Sequence, residues 1–377
     1  MRQQTTYVRV LVNPWGGGLG HGDPSRYIGR LAVTAMLQLQ NDTPFIVNLA
    51  ILPDERGVDT AYVMVKATFD IQAGALRVAA KQRPLVVADE YWGEPGQSSL
   101  KYASEVHLLK PHTDVVLVGE AHAPRGRPVE SCPISVKVGL LRKVILVFGD
   151  RHWARGVLGP RISAPAPFVT LPLVYERAFG GTHVVDRDNA QVLSEPRNPV
   201  GTGFRGKRSH SEMLGTKLPN LEDPSHLIQS PSDQPRPFGV GHVPPSWAPR
   251  VALAGTYGDA WRTTRAPYLP LDFKREFFQS SSEGLCASGH LKGGEPVELV
   301  NVSPAGTLRF ALPRCDLSVT VFIARKRHAP PMQLETVQLE PGHQRLCMLW
   351  RGAVSCDKQA LKVSLAHIQL KSLEGAA

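Results

Sequence analysis

The 377-residue sequence contains no run approaching the ~18 consecutive apolar residues of a membrane-spanning helix. Its nearest stretch, 31–39, is short and interrupted by Thr34 and Gln38, so a soluble chain is expected. The first residues, Arg2 followed by Gln3, Gln4, Thr5 and Thr6, lack the apolar core and small-residue cleavage site of a secretory signal; the cytoplasm is the expected compartment. Cysteine is scarce: Cys132, Cys286, Cys315, Cys347 and Cys356 are scattered, odd in number and without a C-x-x-C pair. That excludes a disulfide framework or a zinc-finger spacing and favours reduced, mostly buried thiols.

The signatures of common chemistries are missing too. The 13 histidines include His107 and His112 but no H-E-x-x-H, so no set of three or four zinc ligands is evident. Asp186-Arg187-Asp188-Asn189 begins like a calcium loop but lacks the glycine and distal glutamate of one, and reads as an acidic surface turn. No serine sits in a G-x-S-x-G elbow. The glycine run Trp15-Gly16-Gly17-Gly18-Leu19-Gly20-His21-Gly22 has neither a Gly-Lys-Ser/Thr ending nor dinucleotide spacing. No metal and no cofactor are therefore expected. Charge is positive, with 43 Lys+Arg against 33 Asp+Glu, yet dispersed. Its densest spots, Arg205, Lys207 and Arg208 and then Arg325, Lys326 and Arg327, read as a solvated loop and a strand end rather than a nucleic-acid stripe.

What is present is alternation of period two. Val63, Val65, Ala67, Phe69 and Ile71 alternate with Met64, Lys66, Thr68 and Asp70, the pattern of a strand with one buried face. A hairpin is expected from Ile134, Val136 and Val138 through Gly139 to Val144, Leu146 and Phe148. Further strands are expected at 114–120, 297–302, 307–312, 317–323, 334–339, 345–349 and 361–365. Without amphipathic helices between them, these exclude a doubly wound parallel sheet. The expected fold is mainly β, built of antiparallel sandwich- or barrel-like modules with a long loop-rich middle and a few short helices, the latter at 258–263 and 271–278. Four stretches are expected: a Gly-rich, flexible extension at 1–35, with a strand at 7–12 and a helix capped by Asp23-Pro24-Ser25 and running through Leu37; a β-rich region at 36–150; a Pro/Gly/aromatic middle at 151–282; and a second β-rich region at 283–377.

Two constellations remain. Asp89 and Glu90, followed by Tyr91, Trp92 and Glu94, place carboxylates beside aromatics as sugar-cleaving sites do, or form a strand end with solvated acids. Trp247 with Arg250, Trp261 with Arg262, Phe277 after Arg275, and Trp350 with Arg351 read either as interface hot spots or as a core with arginine stems packed on aromatic rings.

The succession of strings resembles a bacterial family of unknown-function domains whose members serve as type VI secretion accessory proteins. The strings begin with Leu39-Gln40-Asn41-Asp42-Thr43-Pro44-Phe45 and Val65-Lys66-Ala67-Thr68-Phe69-Asp70. Ala88-Asp89-Glu90-Tyr91-Trp92-Gly93-Glu94-Pro95-Gly96 and Lys110-Pro111-His112-Thr113-Asp114-Val115 follow. The middle supplies Tyr175-Glu176-Arg177-Ala178-Phe179-Gly180-Gly181, Asn198-Pro199-Val200-Gly201-Thr202-Gly203-Phe204 and Leu218-Pro219-Asn220-Leu221-Glu222-Asp223. Last come Gly255-Thr256-Tyr257-Gly258-Asp259-Ala260-Trp261, Pro270-Leu271-Asp272-Phe273 and Leu349-Trp350-Arg351-Gly352. The match runs from Met36, an alternative initiator, to the C-terminus, and departs from the family at Gly258, where an acidic residue is expected.

The resemblance implies a non-enzymatic adaptor-chaperone. It would bind a secreted effector protein in the cytoplasm, keep it soluble and help load it onto the valine-glycine-repeat spike. Partner-binding residues expected on this reading are Glu176, Arg177, Phe179, Asn198, Trp247, Arg250, Trp261, Phe277, Trp350 and Arg351. A hydrolase using Asp89, Glu90 or Glu94 is the competing expectation.

Overall fold

The computed structural model describes residues 4–7, 37–72, 75–157, 159–186, 189 and 191–377. Strand makes up 43% and helix 8%, so the molecule is mainly β as the alternation requires; several antiparallel sheets form and, among the described residues, none closes into a barrel. Most of the expected 7–12 strand and all but the end of the expected 23–37 helix lie outside the described residues. Gln4–Tyr7 forms a short strand paired with Gln38–Asp42.

The central sheet runs in the order Ile46–Pro53, Asp59–Gln72, Arg345–Ser355, Gln333–Glu340, Asp114–Leu117, with Ala75–Val78 pairing the far end of Asp59–Gln72. Its two longest strands lie side by side and antiparallel, Val65 opposite Trp350 and Lys66 opposite Leu349. Regions from both ends of the sequence thus share one sheet. Asp114–Leu117 joins the edge in parallel, Thr336 opposite Asp114. A second sheet carries the expected hairpin, Ser131–Val138 with Leu141–Phe148, extended by Pro296–Val300 and Thr307–Ala311. Gly139, at φ +56°, opens its two-residue loop, a conformation that costs glycine nothing. A third sheet packs Val363–Glu374 between Gln38–Asp42 and Arg314–Ile323.

One apolar core joins all three sheets: Val65, Phe69, Ile134, Val297, Val321 and Ile368 belong to the same cluster. The strand Asp59–Gln72 departs from the expected single buried face. Val63, Val65 and Ala67 enter the main core, but Met64, Lys66 and Thr68 are buried as well, because segments around 82–113 and 242–282 cover the second face. The expected helix at 258–263 is present as Asp259–Thr264. That at 271–278 is confined to one tight turn, Arg275–Phe278.

Candidate functional site

The covered face of the central sheet is unusually polar. Lys66 Nζ lies 2.7 Å from Glu105 Oε1, and Glu105 Oε2 also accepts from Val86 N–H at 2.8 Å. Arg351 Nε donates to Glu335 Oε2 at 2.7 Å, and its Nη2 donates to the Glu105 carbonyl at 2.7 Å. Glu335 Oε1 accepts from Lys110 N–H at 2.6 Å. Lys110 Nζ then meets Asp114 Oδ2 at 2.7 Å, and the Asp114 carboxylate further accepts from Gln279, Ser280 and Ser281. Charges this deeply buried persist only when paired and hydrogen-bonded. Burial alone would raise the Asp114 carboxyl, but the Lys110 ammonium and these donors hold it below its usual range.

Two histidines border the network. His107 stacks on Phe278 with ring centroids 5.3 Å apart; burial, with Arg351 and Lys110 nearby, keeps its pKa well below the ordinary value. His242 Nδ1 lies 2.9 Å from Ser280 Oγ, and burial followed by the Lys110 charge brings it down to about 3. Both rings are neutral at pH 7.

The middle strings assemble a second structural knot. Asn198, fully buried, donates its amide to the carbonyls of Tyr175 at 2.7 Å and Phe179 at 3.0 Å. Thr202 Oγ1 donates to the Glu176 carbonyl, and Asn220 N–H to that of Arg177. The Glu176 carboxylate is engaged by Ser99 N–H and Oγ–H at 2.7 and 2.6 Å. Arg177 reaches Asp150 at 3.2 Å and Asn220 at 3.0 Å. Phe179 packs with Trp153, Met213 and Leu218, and Trp247 stands edge-on to Tyr175 at 5.6 Å.

The ten expected partner-binding residues therefore divide. Phe179, Asn198, Trp247, Arg250, Trp350 and Arg351 are buried; of the two readings of the aromatic and arginine pairs, a packed core fits Trp247 and the pair Trp350 and Arg351. Glu176 and Arg177 remain partly accessible but fasten loops. Trp261 and Phe277, both partly accessible, belong to an arm at whose base the buried Arg250 lies.

That arm leaves the turn Arg250–Leu253 and returns at Arg275–Phe278. Its base is closed by Lys274 N–H to the Leu253 carbonyl at 3.0 Å and by Thr256 on Asp272. Trp261 Nε1 donates to the Tyr268 carbonyl at 2.8 Å while its ring stands edge-on to Tyr257 at 4.8 Å. Arg265 Nη2 donates to the Glu55 carbonyl at 2.7 Å, and Arg275 pairs with the Glu55 carboxylate at 2.6 Å. Held this way, the arm still presents Tyr257, Tyr268 and Leu271 to solvent, 52%, 41% and 88% exposed. Apolar surface on a fastened loop, rimmed by Asp259 and Arg262, is the physical form of a contact site.

At the base of the arm lies a cavity of about 330 Å³, walled by Val87, Val106, His107, Pro245, Phe277 and Phe278, with Asp89, Ser104 and Arg250 as its polar members. Asp89 Oδ1 accepts from Ser104 N–H at 2.7 Å. Glu90 and Glu94 are exposed and outside this cavity, so the carboxylate pair required for sugar cleavage is not assembled there. Sequence reasoning missed Lys66, Glu105, Lys110, Asp114 and Glu335. A charged residue at a core-phase position, as Glu335 between Leu334 and Thr336, was the available signal.

Among the described residues no helix is long and apolar enough to cross a membrane, and no group of three His, Cys, Asp or Glu is placed to hold a metal ion. No match was found among curated proteins or solved structures. A family model does match residues 56–351, a span that contains the central polar network, the Asn198 knot, the arm and the cavity. The chain belongs to that family, DUF2169, described as an uncharacterized protein conserved in bacteria.

Proposed function

We propose that this chain is a non-enzymatic accessory protein of type VI secretion that binds a cognate secreted effector in the cytoplasm, stabilises it and helps load it onto the valine-glycine-repeat spike. The ordered strings described above support the assignment to that system. The observation that carries a binding role is the arm between Arg250 and Phe278. Tyr257, Tyr268 and Leu271 face solvent on a loop whose backbone is tied down by Arg265, Arg275 and Asp272. Loops that are pre-ordered lose little conformational freedom on binding, and exposed aromatics supply most of the contact energy.

The test is co-expression of this chain with the candidate effector encoded beside it. The expected result is an effector insoluble alone and recovered as a complex with this chain, which then retains the spike protein. Tyr257→Ala combined with Leu271→Asp, both at exposed positions, should leave thermal unfolding unchanged and abolish the complex. An effector that is soluble by itself and never co-purifies, with either effector or spike as bait, overturns the proposal.

A further inference from the structure

The buried cations of this protein follow a pattern with a consequence for ligand binding. Lys66, Lys110, Arg151 and Arg351 each have a carboxylate at ion-pair distance: Glu105, Asp114, Glu222 and Glu335. Lys143 and Arg250 are buried too and have none at ion-pair distance among the described residues. Lys143 is compensated in other ways, by the Glu283 carbonyl at 2.7 Å, the Ser282 hydroxyl at 3.3 Å and the face of Phe238 at 4.2 Å.

Arg250 is not. Its Nε and Nη2 donate to the Phe277 carbonyl at 3.0 and 2.8 Å, and its Nη1 to the Val243 carbonyl. A guanidinium has five N–H groups, so one on each terminal nitrogen has no acceptor among the described residues. Asp89 shares the same cavity without reaching ion-pair distance of Arg250; its Oδ1 is taken by Ser104 and its Oδ2 by no described residue. Apart from Ser104 and His107, the remaining wall is apolar. The cavity therefore offers three complements at once: a cation for a carboxylate, a carboxylate oxygen for an N–H, and an aromatic surface for an apolar side chain.

One common chemical unit carries all three groups on a single residue, the C-terminal residue of a polypeptide that ends in an apolar side chain. An internal Asp or Glu offers a carboxylate but little apolar surface beside it. An internal Leu or Phe offers the surface without the charge. About 330 Å³ lies at the small end of ligand cavities, roughly 300–1,000 Å³, which suits one terminal residue. We propose that this cavity captures the C-terminus of a partner polypeptide, with the α-carboxylate on Arg250, the last amide N–H on Asp89 and an apolar side chain against Phe277 and Phe278. The cavity shares Arg250, Phe277 and Phe278 with the base of the arm; naming the ligand as a polypeptide rests on the accessory role proposed above.

The experiment is a calorimetric titration of the full chain with acetyl-Gly-Ala-Leu-Phe as the free acid and as its C-terminal amide. The free acid should bind at least tenfold more tightly than the amide. Val87→Glu, at a 68% exposed position of the rim, should leave the fold intact by thermal melting and weaken the free acid at least fivefold through charge repulsion. Asp89→Asn should weaken it less, since an amide oxygen still accepts. Equal affinity of acid and amide, no saturable binding at millimolar peptide, or indifference to Val87→Glu would each overturn the assignment. If the titration fails while the effector complex still forms, the terminus site alone is rejected; if the complex fails, the accessory role is.

Discussion

Arg351 Nε meets Glu335 Oε2 at 2.7 Å with neither side chain exposed. These two residues sit on adjacent central strands, beside the bulge between Leu334 and Thr336, and join the Lys66–Glu105 pair to the Lys110–Asp114 pair. Removing one member of a buried pair leaves the other charged and unpartnered, a cost of about 3–5 kcal/mol. Arg351→Met should lower stability by about that amount in urea unfolding. Adding Glu335→Gln should return part of the loss, so the double-mutant cycle gives a favourable coupling; strict additivity would contradict the network.

Acid should destabilise the protein well above the carboxylate range. His242, held near 3 when folded, returns to about 6.5 on unfolding. Below that value the unfolded chain binds more protons, so stability is complete above about pH 6.5 and falls as pH falls. From pH 6.5 to 5 this amounts to about 2 kcal/mol at 1.36 kcal/mol per unit. His107 shifts in the same direction and adds to the loss. Urea midpoints at pH 7 and pH 5 measure it, and His242→Asn should reduce the difference.

The hairpin loop Ala324-Arg325 joins Ile323 to Lys326 with φ of +48° and +67°. Two left-handed residues in a two-residue loop call for Asn-Gly. Ala324→Asn with Arg325→Gly should therefore raise the thermal midpoint by about one degree, equivalent to about 1 kcal/mol in a chain of this length. A fall would mean that the Arg325 side chain does something its exposure does not reveal.

Asn198→Asp changes one atom and reverses its chemistry. The donor that serves the Tyr175 and Phe179 carbonyls becomes a buried acceptor facing two acceptors. A loss of at least about 3 kcal/mol is expected, read from chemical unfolding. Asn198→Ala, which removes the donor without adding charge, should cost less.

Alternation in the strands made much of the β fold legible, because a β-strand writes its buried face into every second residue. The hairpin through Gly139 and the strands at 333–340 and 345–355 follow directly. The pairing partners were not legible: nothing local says that Val65 lies beside Trp350, since that contact is made by the completed sheet. For the same reason the second buried face of Asp59–Gln72 was misread. Lys66 and Thr68 look like solvent residues until Glu105 and Gln82 reach over them. The strings and the aromatic and arginine pairs marked residues that matter, but Asn198, Trp247 and Arg351 matter to the frame, while Arg250, Trp261 and Phe277 border the arm or the cavity. Burial, the quantity that separates these groups, belongs to the folded chain and to no residue singly.

The pairing of Asp59–Gln72 with Arg345–Ser355 also sets a timetable. A ribosome adding about 5–20 residues per second releases the first of these strands tens of seconds before the second exists. Throughout that interval Val63, Val65, Ala67 and Phe69 have one flank without its native neighbour, and the large core cannot close. Newly made chains should therefore depend on general holding factors during synthesis, and truncations before residue 345 should be degraded or aggregate rather than accumulate as soluble fragments.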